Sequence, residues 1–301
     1  MKIEQIATVL AKKIEDVRLA EPMKAHTSFK VGGPADVLAI PTSEAEIFHA
    51  VETMAALGLP LFVMGKGSNL LVTSLGLRGV ILKLGDNYAG MEFDGQYVTA
   101  KSGTSLSALV LEAANRNLGG AEFLGGIPGS LGGAIYMNAG AYGGEIKDYV
   151  KEVYFASHAG KLTMRGDEMG FGYRKSILSE TPLVVVGAKL KLDVCSKADS
   201  ICKLNELNGK RRDKQPLEYP SAGSTFKRPD GHFAGSLIEQ AGLRGFTVGG
   251  AQVSEKHAGF VINTGEATSE DIMALIAHVQ KTVQAQFGVK LQTEVKVVGQ
   301  R

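Results

Sequence analysis

Two glycine-rich stretches hold the residues best placed to do chemistry. Gly65-Lys66-Gly67-Ser68-Asn69-Leu70 follows a short apolar run, and Gly125-Gly126-Ile127-Pro128-Gly129-Ser130-Leu131-Gly132-Gly133 lies in a segment, 119–144, with ten glycines in 26 residues. Several backbone N–H groups can converge on a phosphate where no Cβ intervenes, and a turn entering a helix supplies that geometry. The first stretch lacks the Walker spacing, because Lys66 is followed by glycine and Gly58 is too far upstream. It also lacks the dinucleotide fingerprint, since Leu70 stands where the third glycine should be. An NTPase and a Rossmann dehydrogenase are therefore disfavoured. The second stretch can lay its backbone along an extended diphosphate, with Ser130 and Asn138 as side-chain donors; the competing reading is tight turns and close packing only. Arg211, Arg212, Lys214, Lys227 and Arg228 form a basic run that could meet a further diphosphate or simply solvate a helix end. Tyr136 and Tyr173 could stack on a ring or fill core.

Alternating elements must position these loops. Ser43 with Glu46 is a capping-box signal, and Ile47, Val51, Met54 and Leu57 follow at helical spacing until Gly58 and Pro60. Short strands are predicted at 61–64 and 79–84, a hairpin around Asp94-Gly95, and a helix capped by Thr104 or Ser105. The density of glycine across 119–144 predicts no ordinary core element there. Strands resume at 150–157, 161–164 and 183–192, and a linking helix at 199–212 ends near Pro216. Beyond it come helices near 234–241 and 269–287, a strand near 259–263 and a last strand at 291–298.

The 301 residues reach the size at which one core stops growing, roughly 250–300 residues, so several domains are expected. Hydrophobic residues at 44% and charged residues at 21% describe a globular chain. A formal charge of +2 provides no field for steering onto nucleic acid or anionic lipid. The longest apolar stretch, 50–65, is broken by Glu52 and Pro60 and is shorter than the roughly 20 residues of a spanning helix. Ile3, Ile6, Val9, Leu10 and Ile14 predict an amphipathic helix, not a secretory leader, and hence a cytoplasmic protein. Cys195 and Cys202 are seven residues apart with no His cluster, so no metal site or disulfide framework is expected.

Seven motifs in order resemble the UDP-N-acetylenolpyruvoylglucosamine reductases (MurB): HTSFKVGGPAD (26–36), GKGSNLLV (65–72), GGIPGSLGGAIYMNAGAYG (125–143), FGYRKS (171–176), SAGSTFKRP (221–229), LIEQAGLRG (237–245) and LQTEV (291–295). The resemblance implies an α+β chain with an FAD-binding fold of the vanillyl-alcohol-oxidase type. Two α+β FAD-binding domains, 1–85 with the tail 295–301 and 86–212, are then followed by a substrate-binding domain, 213–294. It implies cofactor contacts from Gly65, Lys66, Gly67, Ser68, Asn69, Leu70, Gly126, Pro128, Gly129, Ser130, Gly132, Gly133, Asn138 and Gly140. FAD is expected to bind noncovalently, because His26, Cys195 and Cys202 lie outside the phosphate loops, and NADPH to reduce it.

By the same resemblance, the reaction converts UDP-GlcNAc-enolpyruvate to UDP-N-acetylmuramate for peptidoglycan. A hydride passes from FAD N5 to C3, and C2 is protonated. Arg174 matches the family arginine that holds the substrate carboxylate and stabilises the enolate, a task suited to its fixed fork of donors. Ser224 matches the proton donor to C2, and Glu294 the glutamate beside the enolate, which helps by holding a proton or by orienting another donor. Lys214 is the expected contact to the UDP diphosphate, with Arg228 and Tyr173 as further substrate contacts. The fifty positions from Arg174 to Ser224 suit the subtype lacking an extra loop with a closing tyrosine, which leaves the lid residue unassigned. Ser221 and Thr225 replace the Asn and Phe of other members. A monomer or weak oligomer is expected. Two other classes remain open: an oxygen-using oxidase or dehydrogenase on the same scaffold, which would not need Ser224, and a noncatalytic UDP-sugar or FAD-binding protein, which would not oxidise NADPH.

Overall fold

The computed structural model describes residues 2–300. Its helices are α1 (Ile3–Leu10), α2 (Glu44–Ala56), α3 (Leu106–Asn115), α4 (Leu131–Met137), α5 (Lys197–Lys214), α6 (Ala234–Gln240) and α7 (Ser269–Phe287). The better-capped ones begin and end where their sequence says. At α2 the Ser43 hydroxyl accepts the Glu46 N–H at 3.3 Å and donates back to the Glu46 carboxylate at 2.9 Å, and the helix stops before Gly58 at φ +63°. At α7 the Thr268 hydroxyl accepts the Asp271 N–H at 3.1 Å, the Asp271 carboxylate accepts the Thr268 N–H at 2.9 Å, and Gly288 closes the helix at φ +69°. At α3 the cap differs from expectation. Ser105 makes no side-chain cap bond, and the Thr104 hydroxyl donates instead to the Gly90 carbonyl at 2.9 Å, tying the helix entry to the hairpin before it.

The chain divides into two compact units. The first comprises Met1–Leu19, Val37–Lys66 and Gly79–Lys210. One of its cores gathers Ile6, Leu10 and Ile14 with Val37, Ile47, Met54, Val80, Leu82 and the fully enclosed Tyr88. There Leu61–Met64 runs parallel to residues 80–83. Its second core lies against a five-stranded antiparallel sheet ordered Gly160–Arg165, Val150–Ser157, Val184–Lys191, Tyr97–Lys101, Met91–Asp94. Leu106, Leu109 and Val110 of α3 and Leu131, Ala134 and Ile135 of α4 supply its helical side.

Helix α4 lies inside the segment expected to hold no core element. That expectation is corrected by packing. Without a Cβ at Gly132 the helix can approach Ser102, whose own Cβ would be 2.9 Å from one built there. The glycines thus serve close approach of backbone as much as turning.

The second unit comprises Ala20–Asp36, Gly67–Arg78 and Arg211–Arg301. Its antiparallel sheet is ordered Ser221–Ser224, Phe260–Asn263, Ala251–Val253, Thr247–Val248. Leu237 and Ile238 of α6 and Ile272, Leu275 and Val279 of α7 pack into its core together with Phe29, Val31 and Leu71. A second correction concerns the last strand. Only Lys296–Val298 forms one, parallel to Leu70–Val72, whereas Thr293 makes an isolated bridge to Phe226. The segment 291–298 changes partner midway, so no single ladder can run through it. Among the described residues, no helix is long and apolar enough to cross a membrane.

Candidate active site

In the first unit the two glycine-rich stretches come together. A Cβ on Gly65 would lie 2.3 Å from the Ser130 hydroxyl, and one on Gly133 would lie 3.8 Å from it. The Ser130 and Ser102 side chains are buried, and neither hydroxyl oxygen has a hydrogen-bond partner within the protein. Leaving buried polar groups unmatched costs free energy. Here two such hydroxyls lie along a glycine cradle that any side chain would fill, which fits a polar, phosphate-bearing ligand pressed against backbone. The diphosphate of FAD has that chemistry.

The cradle does not use every expected donor. The Leu131 N–H donates to the Thr104 carbonyl at 2.9 Å and the Gly132 N–H to the Ser102 carbonyl at 2.8 Å. Gly132 therefore offers closeness and not its N–H. Gly126, Pro128 and Gly129 are on the same turn, where the Gly129 N–H bonds the Ile127 carbonyl at 2.8 Å. Lys66 forms an ion pair with Asp86 at 2.8 Å.

Asn138 was expected to point a donor at the diphosphate, but its amide is committed inside the protein. It is fully buried in a left-handed conformation, φ +42°, at the end of α4. Its Nδ2 donates to the Gly172 carbonyl at 3.1 Å, and its Oδ1 accepts the Lys147 N–H at 3.2 Å. Around it, Gly140–Ala141 pairs with Gly144–Glu145 in a tight hairpin. The Gly140 carbonyl accepts a bond from Arg174 Nη2 at 3.0 Å. Arg174 stands at φ +56° on the tip of a two-residue turn, with its guanidinium 5.1 Å from the ring centre of the exposed Tyr173. Partial burial alone would raise the Glu145 carboxyl. Hydrogen bonds from Lys147 and Asn138 and the charges of Lys147 and Arg174 outweigh that and hold it below the ordinary 4.5.

The second unit holds the rest. Ser224 closes its strand with its side chain exposed, between Gly223 at φ +73° and the fully buried Thr225. Thr225 anchors the position: its N–H donates to the Gly259 carbonyl at 2.9 Å and its hydroxyl accepts the Val261 N–H at 3.0 Å. Glu294 lies alongside, its N–H bonded to the Thr225 carbonyl at 2.8 Å. Its own carbonyl accepts a bond from Asn69 Nδ2 at 3.2 Å. The structure thus gathers Ser224, Glu294 and the Gly67–Asn69 loop around one stretch of backbone. Beside that loop the Ser28 N–H bonds the Gly67 carbonyl at 3.3 Å, and the buried Ser28 hydroxyl has no partner. Leu70 begins the strand that pairs with Lys296–Val298. Lys214 is exposed at the end of α5, and the exposed Arg228 lies 4.0 Å over the Phe233 ring. His26 is buried and paired with Glu21 at 2.8 Å.

Two residues of this unit were not singled out by sequence. Ser28 sits inside a quoted motif, and only its burial marks it. His257 is lowered below the ordinary imidazole value of 6.5, first by burial and also by the charges of Arg244 and Lys214. Its Nδ1 accepts the Gly259 N–H at 3.0 Å, next to the strand that carries Ser224's partner Phe260. No spacing rule would have found it.

Residues 35–164 match the family described as FAD binding domain, and residues 215–298 match the UDP-N-acetylenolpyruvoylglucosamine reductase, C-terminal domain. With the α+β architecture and the glycine cradle, these matches define an FAD-binding flavoprotein. The UDP-N-acetylenolpyruvoylglucosamine reductase of Lachnoclostridium phytofermentans is 50% identical over 95% of this chain and 94% of its own. That of Caldanaerobacter subterraneus subsp. tengcongensis is 47% identical over 98% and 100%. Among solved structures, the reductase (MurB) from Thermus caldophilus matches with a TM-score of 0.79 at 34% identity, over 94% of this chain and 98% of that one. An alkyldihydroxyacetonephosphate synthase, 11% identical with a TM-score of 0.51, covers 99% of this chain and 62% of its own and shares the fold alone. The chain belongs to the UDP-N-acetylenolpyruvoylglucosamine reductase family.

Proposed function

We propose that this protein reduces UDP-GlcNAc-enolpyruvate to UDP-N-acetylmuramate in peptidoglycan synthesis, with NADPH as reductant and noncovalently bound FAD. The near-full-length identity to reductases of that name carries the reading. Ser130 and Ser102 along the Gly65, Gly132 and Gly133 backbone of the first unit are suited to hold the cofactor, and the Gly67–Asn69 loop with Ser28 offers polar groups of the same kind within the second unit. When bound and reduced by NADPH, FAD would supply one hydride, which carries both electrons, to the enolpyruvyl C3.

The chain's own groups answer what that addition creates at C2. Negative charge spreads from C2 into the neighbouring carboxylate, and Arg174 meets it with a planar pair of donors that stay charged at any working pH. Ser224 then gives its hydroxyl proton to C2. A neutral hydroxyl is a weak acid, but an enolate carbon is basic enough to accept from it. Glu294, bonded through its N–H to the residue after Ser224, orients a donor beside the same carbon or holds the proton that replaces the one Ser224 gives. Lys214, Tyr173 and Arg228 serve the UDP-sugar. In this reading the segments 1–85 with 295–301 and 86–212 serve the cofactor and 213–294 the substrate, with 20–36 and 67–78 folded into the compact unit that holds 213–294, in a cytoplasmic monomer or weak oligomer.

One assay tests this reading. Protein, NADPH and UDP-GlcNAc-enolpyruvate are mixed with and without oxygen while absorbance at the NADPH and flavin bands is followed. Anaerobic NADPH consumption that depends on the enolpyruvyl substrate is the expected result. Consumption that needs only oxygen indicates an oxidase, and none under either condition indicates a binding protein. A yellow protein pellet after acid precipitation would show covalent flavin.

A further inference from the structure

Arg174 is held in a conformation that a residue with a Cβ adopts only under constraint. Gly172 and Lys175 exchange both backbone bonds, at 3.0 and 3.2 Å, and place Tyr173 and Arg174 at the tip with Arg174 at φ +56°. Three contacts hold this turn. Asn138 Nδ2 bonds the Gly172 carbonyl at its base, the buried Ser176 hydroxyl donates to the Tyr136 carbonyl at 2.9 Å just after it, and Arg174 Nη2 bonds the Gly140 carbonyl. Asn138 is the hub. Its side chain also takes the Lys147 N–H just past the hairpin and donates to the Glu145 carboxylate at the hairpin's end, so one buried side chain links the end of α4, the hairpin that carries the Gly140 carbonyl, and the arginine turn.

We propose that Asn138 is a positioning residue for Arg174: its buried amide fixes the arginine turn against the hairpin carrying the Gly140 carbonyl, so that the guanidinium is presented to substrate in one orientation. The inference deepens the reading of Arg174 as the carboxylate-binding group and rests on it. Small misplacement of a binding group is enough to matter, since roughly 1 Å can cost on the order of a hundredfold in rate. The backbone at 138 must stay left-handed, which Asn, Asp and Gly tolerate best.

The test therefore uses Asn138→Gly, which keeps that conformation and deletes the amide, and Asn138→Asp, which keeps an acceptor for Lys147, loses the donor to Gly172 and to Glu145, and sets a second carboxylate beside Glu145. Ser176→Ala loosens the same turn from its other side and serves if both Asn138 variants fold poorly. With FAD-loaded protein, rapid mixing follows flavin reduction by NADPH and reoxidation by UDP-GlcNAc-enolpyruvate separately, and FAD content is measured. Reoxidation is expected to slow by roughly ten- to a hundredfold, with reduction and FAD content within about twofold of the parent protein. In an Arg174→Ala background, Asn138→Gly should add less than about twofold, because the group it positions is gone. Loss of FAD or an equal fall in both half-reactions overturns the proposal and assigns Asn138 to the cofactor site. A full additional loss in the Arg174→Ala background overturns it as well. If Arg174→Ala alone leaves reoxidation unchanged, the reading of Arg174 fails first, and the positioning role falls with it.

Discussion

Ser224 is exposed while its neighbours Thr225 and Phe226 are buried and Thr225 is bonded to Gly259 and Val261, so the hydroxyl can be removed without disturbing what anchors it. Ser224→Ala is expected to leave NADPH reduction of the flavin nearly intact and to slow reoxidation by substrate roughly 10²–10⁴-fold, the usual scale of a lost acid. Single-turnover absorbance at the flavin band reads both, and an equal loss in each would make Ser224 structural. Arg174→Lys keeps one charge but loses the fork. It should slow reoxidation roughly a hundred- to a thousandfold while the turn itself survives on the Asn138 and Ser176 contacts. Motif order named Arg174, Ser224 and Glu294 as the candidates. It could not show where Asn138 sends its amide, because a side chain's partners lie at 172 and 147, distances in sequence that no local pattern encodes. The same holds for Ser102 and Ser28, which are plain serines until burial removes their water.

At the scale of elements, the α2 cap was legible, the α3 cap was not, and glycines were only half legible. Ser43 announced α2 because the bonds that start a helix are local. Gly132 and Gly133 read as breakers and turned out to sit in α4, because what admits them there is the approach of Ser102, a tertiary fact. Thr268→Ala should cost about 1 kcal/mol in urea unfolding. The capping partner adds a pH dependence. Asp271 is held below its ordinary value of 3.8 chiefly by the Thr268 N–H and then its hydroxyl, with the Gly250 N–H helping against a small effect of burial. Because the folded value is the lower one, this contribution is complete above about pH 4 and is lost as pH falls through the folded value. The melting-temperature gap between the parent protein and Asp271→Asn should thus be widest near neutrality and close below pH 3.8. Gly76 makes the opposite kind of demand. At φ +78° with a Cβ that would fall 1.9 Å from the Pro34 carbonyl oxygen, Gly76→Ala must shift backbone. A loss of about 1–3 kcal/mol is expected from such overpacking, read from the urea midpoint.

Across the whole molecule, the second unit is assembled from three separated stretches of chain, and its interleaving was the least legible feature of all. The sequence suggested consecutive segments because composition and turns change along the chain, while the pairing of Leu70–Val72 with Lys296–Val298 joins positions more than two hundred residues apart. Phe29, Val31 and Leu71 are buried in one core with side chains from Ala222 onward. A chain ending at Lys210 should accordingly fail to bury these three side chains, with aggregation on expression or binding of a hydrophobic dye, even though residues 35–164 are the part that matches an FAD-binding domain. A smaller cut is more telling. Deleting residues 296–301 removes the strand partner of Leu70–Val72 and the Lys296 N–H that donates to the Asn69 carbonyl at 3.0 Å. It leaves the bond from Asn69 to the Glu294 carbonyl in place. The loop from Gly67 to Asn69 then keeps the Asn69 bond to the Glu294 carbonyl and loses the one from Lys296. The deleted protein should fold, retain the core around α7, and release FAD more readily, seen as a rise in free-flavin fluorescence on dilution. Unchanged flavin retention would show that this loop needs no support from the C-terminal strand.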